Sequence, residues 1–165
     1  IELDHAQQTS QYAVLIGQAL GLNEDDINIL RLAGYLHDIG KITLDHQMLT
    51  RNSRDSIQRK ESIMKHCEVG YKILNFFDRY REVAPYVLSH HEHIDGSGLP
   101  NGLVGDEIPL LSKIIAVANI YAGLTAKNVY YEYLSKQEAI LELNRLKKSH
   151  LDANIVNIFI DKVLN

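Results

Sequence analysis

Apolar side chains return every three or four residues along almost all of this 165-residue chain. Nowhere do they alternate with polar ones for long enough to make a strand, so the fold class is read as all-α. Tyr12, Ala13, Ile16, Ala19 and Leu20 share one face of a first helix, from about Leu3 to Leu20, which Gly21 ends. Asn23 suits the N-cap of a second helix, with Glu24, Asp25 and Asp26 at the positive end of its dipole. That helix turns Ile27, Leu30, Ala33 and Leu36 inward and stops near His37, Asp38 and Gly40. The polar run TRNSRDSIQRKES then leads into a third helix holding Ile63, His66, Val69, Gly70, Ile73 and Leu74. Pro85 opens a fourth, which ends at a histidine cluster. Four glycines and two prolines between Asp95 and Pro109 mark a loop. A core helix follows over about Leu110 to Ala126, Ser135 and Glu138 form a capping box for another, and Asp152 caps the last.

A chain of this length buries a core without disulfides or a structural metal, so a metal ion here would have a role beyond holding the fold. The balance of 17 Lys+Arg against 21 Asp+Glu, net charge -4, argues against the basic face that duplex nucleic acid or a membrane surface demands. No apolar run is long enough to span a membrane. The single Cys67 excludes an internal disulfide and agrees with a reducing cytoplasm. Because the chain starts at Ile1, residues 1–165 are expected to be one domain excised from a longer multidomain protein.

The eight histidines carry the chemistry. His90 and His91 adjoin in LSHHEHIDGSGLP, and neighbours on a helix point about 100° apart, so they suit two ions rather than one. Histidines at a helix end also interact with the negative dipole and can stay solvated. In YLHDIGKI, Asp38 has two oxygens with which to bridge metals, and Lys41 is placed to hold a phosphate oxygen. His66, among Ile63, Cys67, Val69 and Gly70, reads alone as a hydrogen-bonded core histidine, and His5 alone as a surface residue. Glu92 either accepts a hydrogen bond beside the histidines or is solvated. Asp95 organises a turn through Gly96 and Gly98, whose missing Cβ permits positive φ or close approach of a phosphate. Cys67 is read as a small buried residue, and Tyr121, Tyr130, Tyr131 and Tyr133 as core aromatics, one of them available to stack on a base.

The order of His5, HDIGK, His66 with Gly70 four residues on, HHEHIDGSGLPNG and IPLLSKIIAVANIYAGLT resembles the HD-GYP branch of the HD-domain phosphohydrolases. The resemblance runs from His5 to about Tyr131. It implies an HD-domain helical bundle with a metal site in its core, two divalent transition-metal ions (iron or manganese favoured, nickel or zinc also compatible) and hydrolysis of cyclic di-GMP to linear pGpG and/or GMP. Position by position, His5, His37, Asp38, His66, His90 and His91 match metal ligands, with Asp38 bridging, and Asn119 stands at a further ligand position. Lys41 matches the lysine near the substrate phosphate, which makes Asp38 and Lys41 the candidate catalytic residues. Lys41, Asp95, Gly96, Gly98 and Lys127 are the candidate substrate contacts. The loop from Asp95 to Pro109 is expected to meet diguanylate cyclase (GGDEF) domains. Such a site fits the reaction: a hydroxide bridging two metals about 3.5–4 Å apart supplies both a strong nucleophile and charge neutralisation at a pentavalent phosphorus. Ligating histidines must be neutral, so metal occupancy is expected to fall below about pH 6.5.

Departures from the family pattern fall at the site. Leu99 replaces the tyrosine of the signature. Asn119 replaces an aspartate ligand, offering a weaker and uncharged oxygen, and Ala122 replaces the acidic residue after it. Asn128 takes the place of an arginine, with Lys127 beside it. Ile1 stands where members with a third metal have a glutamate, so two ions at most are expected. These losses support a second reading, a catalytically impaired domain that senses cyclic di-GMP or serves as a signalling interaction module. His46, His93 and His150 match no metal role and are assigned to the surface or to local hydrogen bonds.

Overall fold

The computed structural model describes residues 2–43, 56–126 and 133–165. Seven α-helices appear in it: α1 (Glu2–Ala19), α2 (Glu24–Leu36), α3 (Ser56–Phe76), α4 (Ala84–Leu88), α5 (Leu110–Thr125), α6 (Lys136–Leu146) and α7 (Ala153–Ile158). Short 3-10 turns cover Ile39–Thr43, Asp78–Tyr80 and Gly105–Glu107, and α7 continues as a π-helical turn, Phe159–Leu164. Among the described residues there is no strand, and the all-α expectation holds. An isolated antiparallel bridge joins Asp95 to Val104.

Local chemistry sets the boundaries. Asn23 Oδ1 accepts the Asp26 N–H at 2.9 Å. Ser135 and Glu138 cap α6 reciprocally, and Asp152 Oδ1 accepts from the N–H groups of Asn154 and Ile155. Two elements differ from expectation. The polar run before His66 does not merely lead into α3, because its last residues, from Ser56, form the helix's first two turns. Gln, Arg, Lys and Glu are good helix formers, and a solvated start to a helix needs no apolar stripe. Also, α4 is only five residues long, so His90 and His91 stand in the turn just beyond it rather than on it.

Helix α5 is the centre of the bundle, with Leu111, Ile114, Ile115, Val117, Ala118 and Tyr121 all buried. α1 packs across both α2 and α5. Tyr12, Tyr121 and Phe159 meet edge to face at centroid distances of 5.0, 5.1 and 5.7 Å, which ties α1, α5 and the C-terminal turn together. Tyr121 is thus a core residue, whereas Tyr133 is exposed, a correction to its expected place in the core. Fully burying an isoleucine or leucine such as Ile16, Leu30 or Ile114 contributes about 1.5–3 kcal/mol each. This rigid core carries the polar residues of the next section at its helix ends.

Candidate metal centre

Gly40 fixes the geometry of the first half of the site. A Cβ at this buried glycine would overlap the His66 carbonyl oxygen, so the 3-10 turn after α2 lies directly on α3. That close approach puts Asp38 Oδ1 3.5 Å from His66 Nε2, although the two residues are far apart in sequence. Within the turn, Asp38 Oδ2 lies 3.2 Å from His37 Nε2 and 2.6 Å from Lys41 Nζ.

The imidazoles are held from behind. His37 Nδ1 donates to the Gly34 carbonyl (2.7 Å), His66 Nδ1 to that of Ser62 (3.1 Å) and His90 Nδ1 to that of Val87 (2.6 Å). Each carbonyl lies three or four residues earlier, which the turns of α2, α3 and α4 supply automatically. A ring that donates through Nδ1 presents a bare lone pair at Nε2. His90 Nε2 is buried with no hydrogen-bond partner, and His37 Nε2 is buried against the Asp38 carboxylate at 3.2 Å, a costly arrangement for two lone pairs unless a cation accepts them. The rings converge: centroids of His5 and His37 are 5.4 Å apart, His37 and His90 5.3 Å, His66 and His91 5.1 Å, and His90 and His91 4.1 Å. Ligand atoms of His5, His37 and Asp38 lie within 4.8 Å of one another, and so do those of His66, Cys67, His90 and His91. Converging imidazole nitrogens beside one carboxylate are the donor types that a divalent transition metal takes. The donor set therefore fits a metal centre.

Electrostatics point the same way. Burial lowers the pKa of His5, with the His37 ring adding to the effect, and burial lowers that of His66 against the pull of Asp38. His90 is pushed well below the usual histidine range by burial and then by His91, His37 and His66. Burial, followed by His66, takes His91 down to about 3. Burial would raise the Asp38 carboxyl, but the His37 ring, Lys41 and His90 outweigh it and hold Asp38 well below the usual carboxylate range. Lowered pKa values at His5, His66, His90 and His91 beside an ionised Asp38 favour the protonation states that ligation needs.

Asn119 sits in α5 facing His5, whose Nε2–H donates to its Oδ1 at 2.8 Å. That separation also suits two ligands of one octahedral ion, about 3 Å for bonds of about 2.1 Å. Seven of the sequence candidates, His5, His37, Asp38, His66, His90, His91 and Asn119, therefore meet in one place, with Lys41 on its more exposed side. Lys127 lies outside the described residues, as do Asn128, Ile1 and His46.

Asp95, Gly96 and Gly98 belong to a loop that is folded onto its own backbone. Asp95 Oδ1 accepts the Ser97 N–H at 2.9 Å, and Gly96 has a φ of 82°. A Cβ at Gly98 would overlap the backbone of Glu92 and His93, so the close approach this glycine permits is that of the chain to itself. Glu92 is buried, not solvated: its two carboxylate oxygens accept the N–H groups of Asn101 (2.7 Å) and Leu103 (3.0 Å). Leu99 N–H donates to the His91 carbonyl at 3.0 Å, so the loop is fastened to the histidine turn at three points. His93 bonds Ser97 Oγ and its ring lies tilted against that of His150 at 4.1 Å, in keeping with a local role. Sequence reasoning left Glu92 undecided, and the signal available was its position between a helix end and a glycine-rich loop whose N–H groups lacked partners. Cys67, buried with Sγ 3.7 Å from His66 Nε2, gave no signal, because a lone cysteine between apolar residues looks like core.

The fold is the all-α fold of HD-domain proteins, and its buried cluster of histidines, Asp38 and Cys67 is able to hold metal. The HD domain profile matches residues 2–155. The chain belongs to the HD domain family, and the HD-GYP resemblance of its motifs stands. It is 34% identical over 139 residues to the cyclic di-GMP phosphodiesterase response regulator RpfG of Xanthomonas campestris, covering 83% of this chain and 37% of that one. It is 31% identical over 159 residues to the 3'3'-cGAMP-specific phosphodiesterase 2 of Vibrio cholerae, covering 95% of this chain and 30% of that one. A solved HDG"Y"P protein from Bdellovibrio bacteriovorus shares the fold at a TM-score of 0.78 and 21% identity, covering all of this chain (100%) and 53% of the other. The chain spans about a third of the length of the two curated relatives.

Proposed function

We propose that this domain is a metal-dependent phosphodiesterase that hydrolyses cyclic di-GMP, or a closely related cyclic dinucleotide, to a linear dinucleotide or mononucleotides. The observation that carries the reading is the meeting of five imidazoles, the Asp38 carboxylate and the Asn119 amide, with the buried His90 Nε2 left without a partner. His5, His37 and Asp38 would hold one ion and His66, His90 and His91 the other, with Asp38 between them. Iron or manganese is favoured, and nickel or zinc also fits imidazole-rich donors. A divalent pair, when bound, supplies a nucleophile at neutral pH and neutralises phosphate charge.

The chain's own residues do the rest. The carbonyl-anchored rings keep their geometry without reorganising. Lys41, paired with Asp38 at 2.6 Å, is released for a substrate phosphate once Asp38 is shared with a cation. Lys127 is a second cation for the same purpose. Asp95, Gly96 and Gly98 shape the loop at the substrate's edge, and that loop is the surface we assign to a diguanylate cyclase partner. The assignment of a cyclic dinucleotide rests on relatives named for cyclic di-GMP and for 3'3'-cGAMP. The second reading, a sensor or interaction module with impaired catalysis, rests on Asn119.

Purified protein loaded with iron or manganese under reducing conditions, then incubated with cyclic di-GMP and separately with 3'3'-cGAMP, tests both. Two ions per chain with linear product support the enzyme. Tight binding without product supports the sensor, and absence of both metal and ligand, with association to another signalling domain, refutes the enzyme and supports the interaction module.

A further inference from the structure

We infer that Cys67 is a metal ligand, joining His66, His90 and His91 on one of the two ions and making that position selective for thiophilic metals. The inference rests on the metal reading above and deepens it. Cys67 Sγ is 3.7 Å from His66 Nε2, and it also touches the His90 ring at 4.0 Å, there at the Nδ1 that the Val87 carbonyl holds. His66 has only Nε2 free, since its Nδ1 is given to the Ser62 carbonyl. In a tetrahedral site with a metal–sulfur bond of about 2.3 Å and metal–nitrogen bonds of about 2.0–2.1 Å, the sulfur and nitrogen lie about 3.6 Å apart. The observed separation is therefore that of two ligands on one ion, and the four ligand atoms of His66, Cys67, His90 and His91 are all within 4.8 Å of one another.

A second observation is independent of the thiol. His90 Nε2, on a fully buried ring in the same cluster, has no partner. Charge supplies a third argument. Asn119 leaves the donor set one negative charge short of what an aspartate would give, and a thiolate restores it. Without metal, Cys67 is a thiol, because burial and then the neighbouring carboxylates of Asp38 and Glu92 push its pKa up. A coordinating cation deprotonates such a thiol outright, and the proton passes to solvent. A site of one thiolate and three imidazoles favours zinc, cobalt or ferrous iron over manganese.

The test is optical. Metal-free protein is titrated with cobalt(II) under reducing conditions, alongside Cys67→Ser. A near-ultraviolet sulfur-to-cobalt charge-transfer band should grow with the wild-type protein and be absent from the variant. Cys67→Ser should also weaken zinc and cobalt binding at one of two positions by about 10- to 100-fold and weaken manganese binding by less. Cobalt bound with ligand-field bands but no sulfur band would overturn the inference and leave the metal centre standing. No bound cobalt at all would overturn the metal centre and this inference with it. Should Cys67→Ser fail to fold, the wild-type spectrum alone decides between these outcomes.

Discussion

At the scale of single residues, the site is built from a repeated small device: an imidazole whose Nδ1 is occupied by a main-chain carbonyl three or four residues earlier. His37, His66 and His90 all use it. Because the carbonyl belongs to the same helical turn, the tautomer is set locally and the lone pair points away from the helix. Asn119 is the residue where the donor set is weakest. Asn119→Asp places a carboxylate beside His5 and adds the missing charge, so metal retained after dialysis against a chelator should rise on the order of tenfold, with turnover rising alongside. Unchanged metal content and rate would show that position 119 is not where the site is limited. Lys41 does a different job, touching Asp38 from the exposed side. Lys41→Met should keep its metal by elemental analysis yet raise KM for the dinucleotide about 10- to 100-fold, since a hydrogen bond to a charged group is worth about 1.5–3 kcal/mol.

At the scale of elements, two close backbone approaches assemble the centre, Gly40 onto α3 and the loop onto the turn after α4. Glu92 anchors the second. Glu92→Gln turns an amide NH₂ toward one of two backbone donors and removes the charge, which should cost about 1–3 kcal/mol in denaturant unfolding. Glu107→Gln, at an exposed carboxylate that accepts the Val104 N–H, serves as the control and should cost about 1 kcal/mol or less. Equal losses in both would show that the buried anchor is not special. The helices themselves were legible in the sequence, because caps at Asn23, Ser135 and Asp152 and the apolar period are local signals. The candidate ligands His37, Asp38, His90 and His91 were legible as motifs. Their convergence was implied by the family resemblance alone, since it depends on Gly40 meeting the His66 carbonyl across a gap in sequence that no periodicity encodes. The polar start of α3 follows from helix propensity, which a reading of the apolar period passes over, and the early end of α4 left no periodic signal.

At the scale of the whole molecule, the buried histidines make stability depend on pH in a definite direction. The folded pKa values of His5, His66, His90 and His91 lie below the ordinary 6.5, with His91 at about 3. Between 6.5 and those values the unfolded chain takes up protons that the folded one refuses, so acid favours unfolding. The stabilisation is fully present above pH 6.5 and is lost as pH falls toward 3, at about 1.4 kcal/mol per pKa unit for each group. Metal-free protein should therefore show a melting temperature that falls steadily from pH 7 to pH 5. A bound divalent ion stabilises only the folded state, so at fixed pH it should raise the melting temperature in proportion to the logarithm of its concentration above the dissociation constant. Protons compete for the same nitrogens, and that increment should itself shrink as pH drops through 6.5. Scanning calorimetry of chelated and metal-loaded samples at pH 7, 6 and 5 separates the two effects. A metal-free melting temperature that rises on acidification would mean the imidazoles are protonated and paired in the fold, the opposite of a cage made to receive cations.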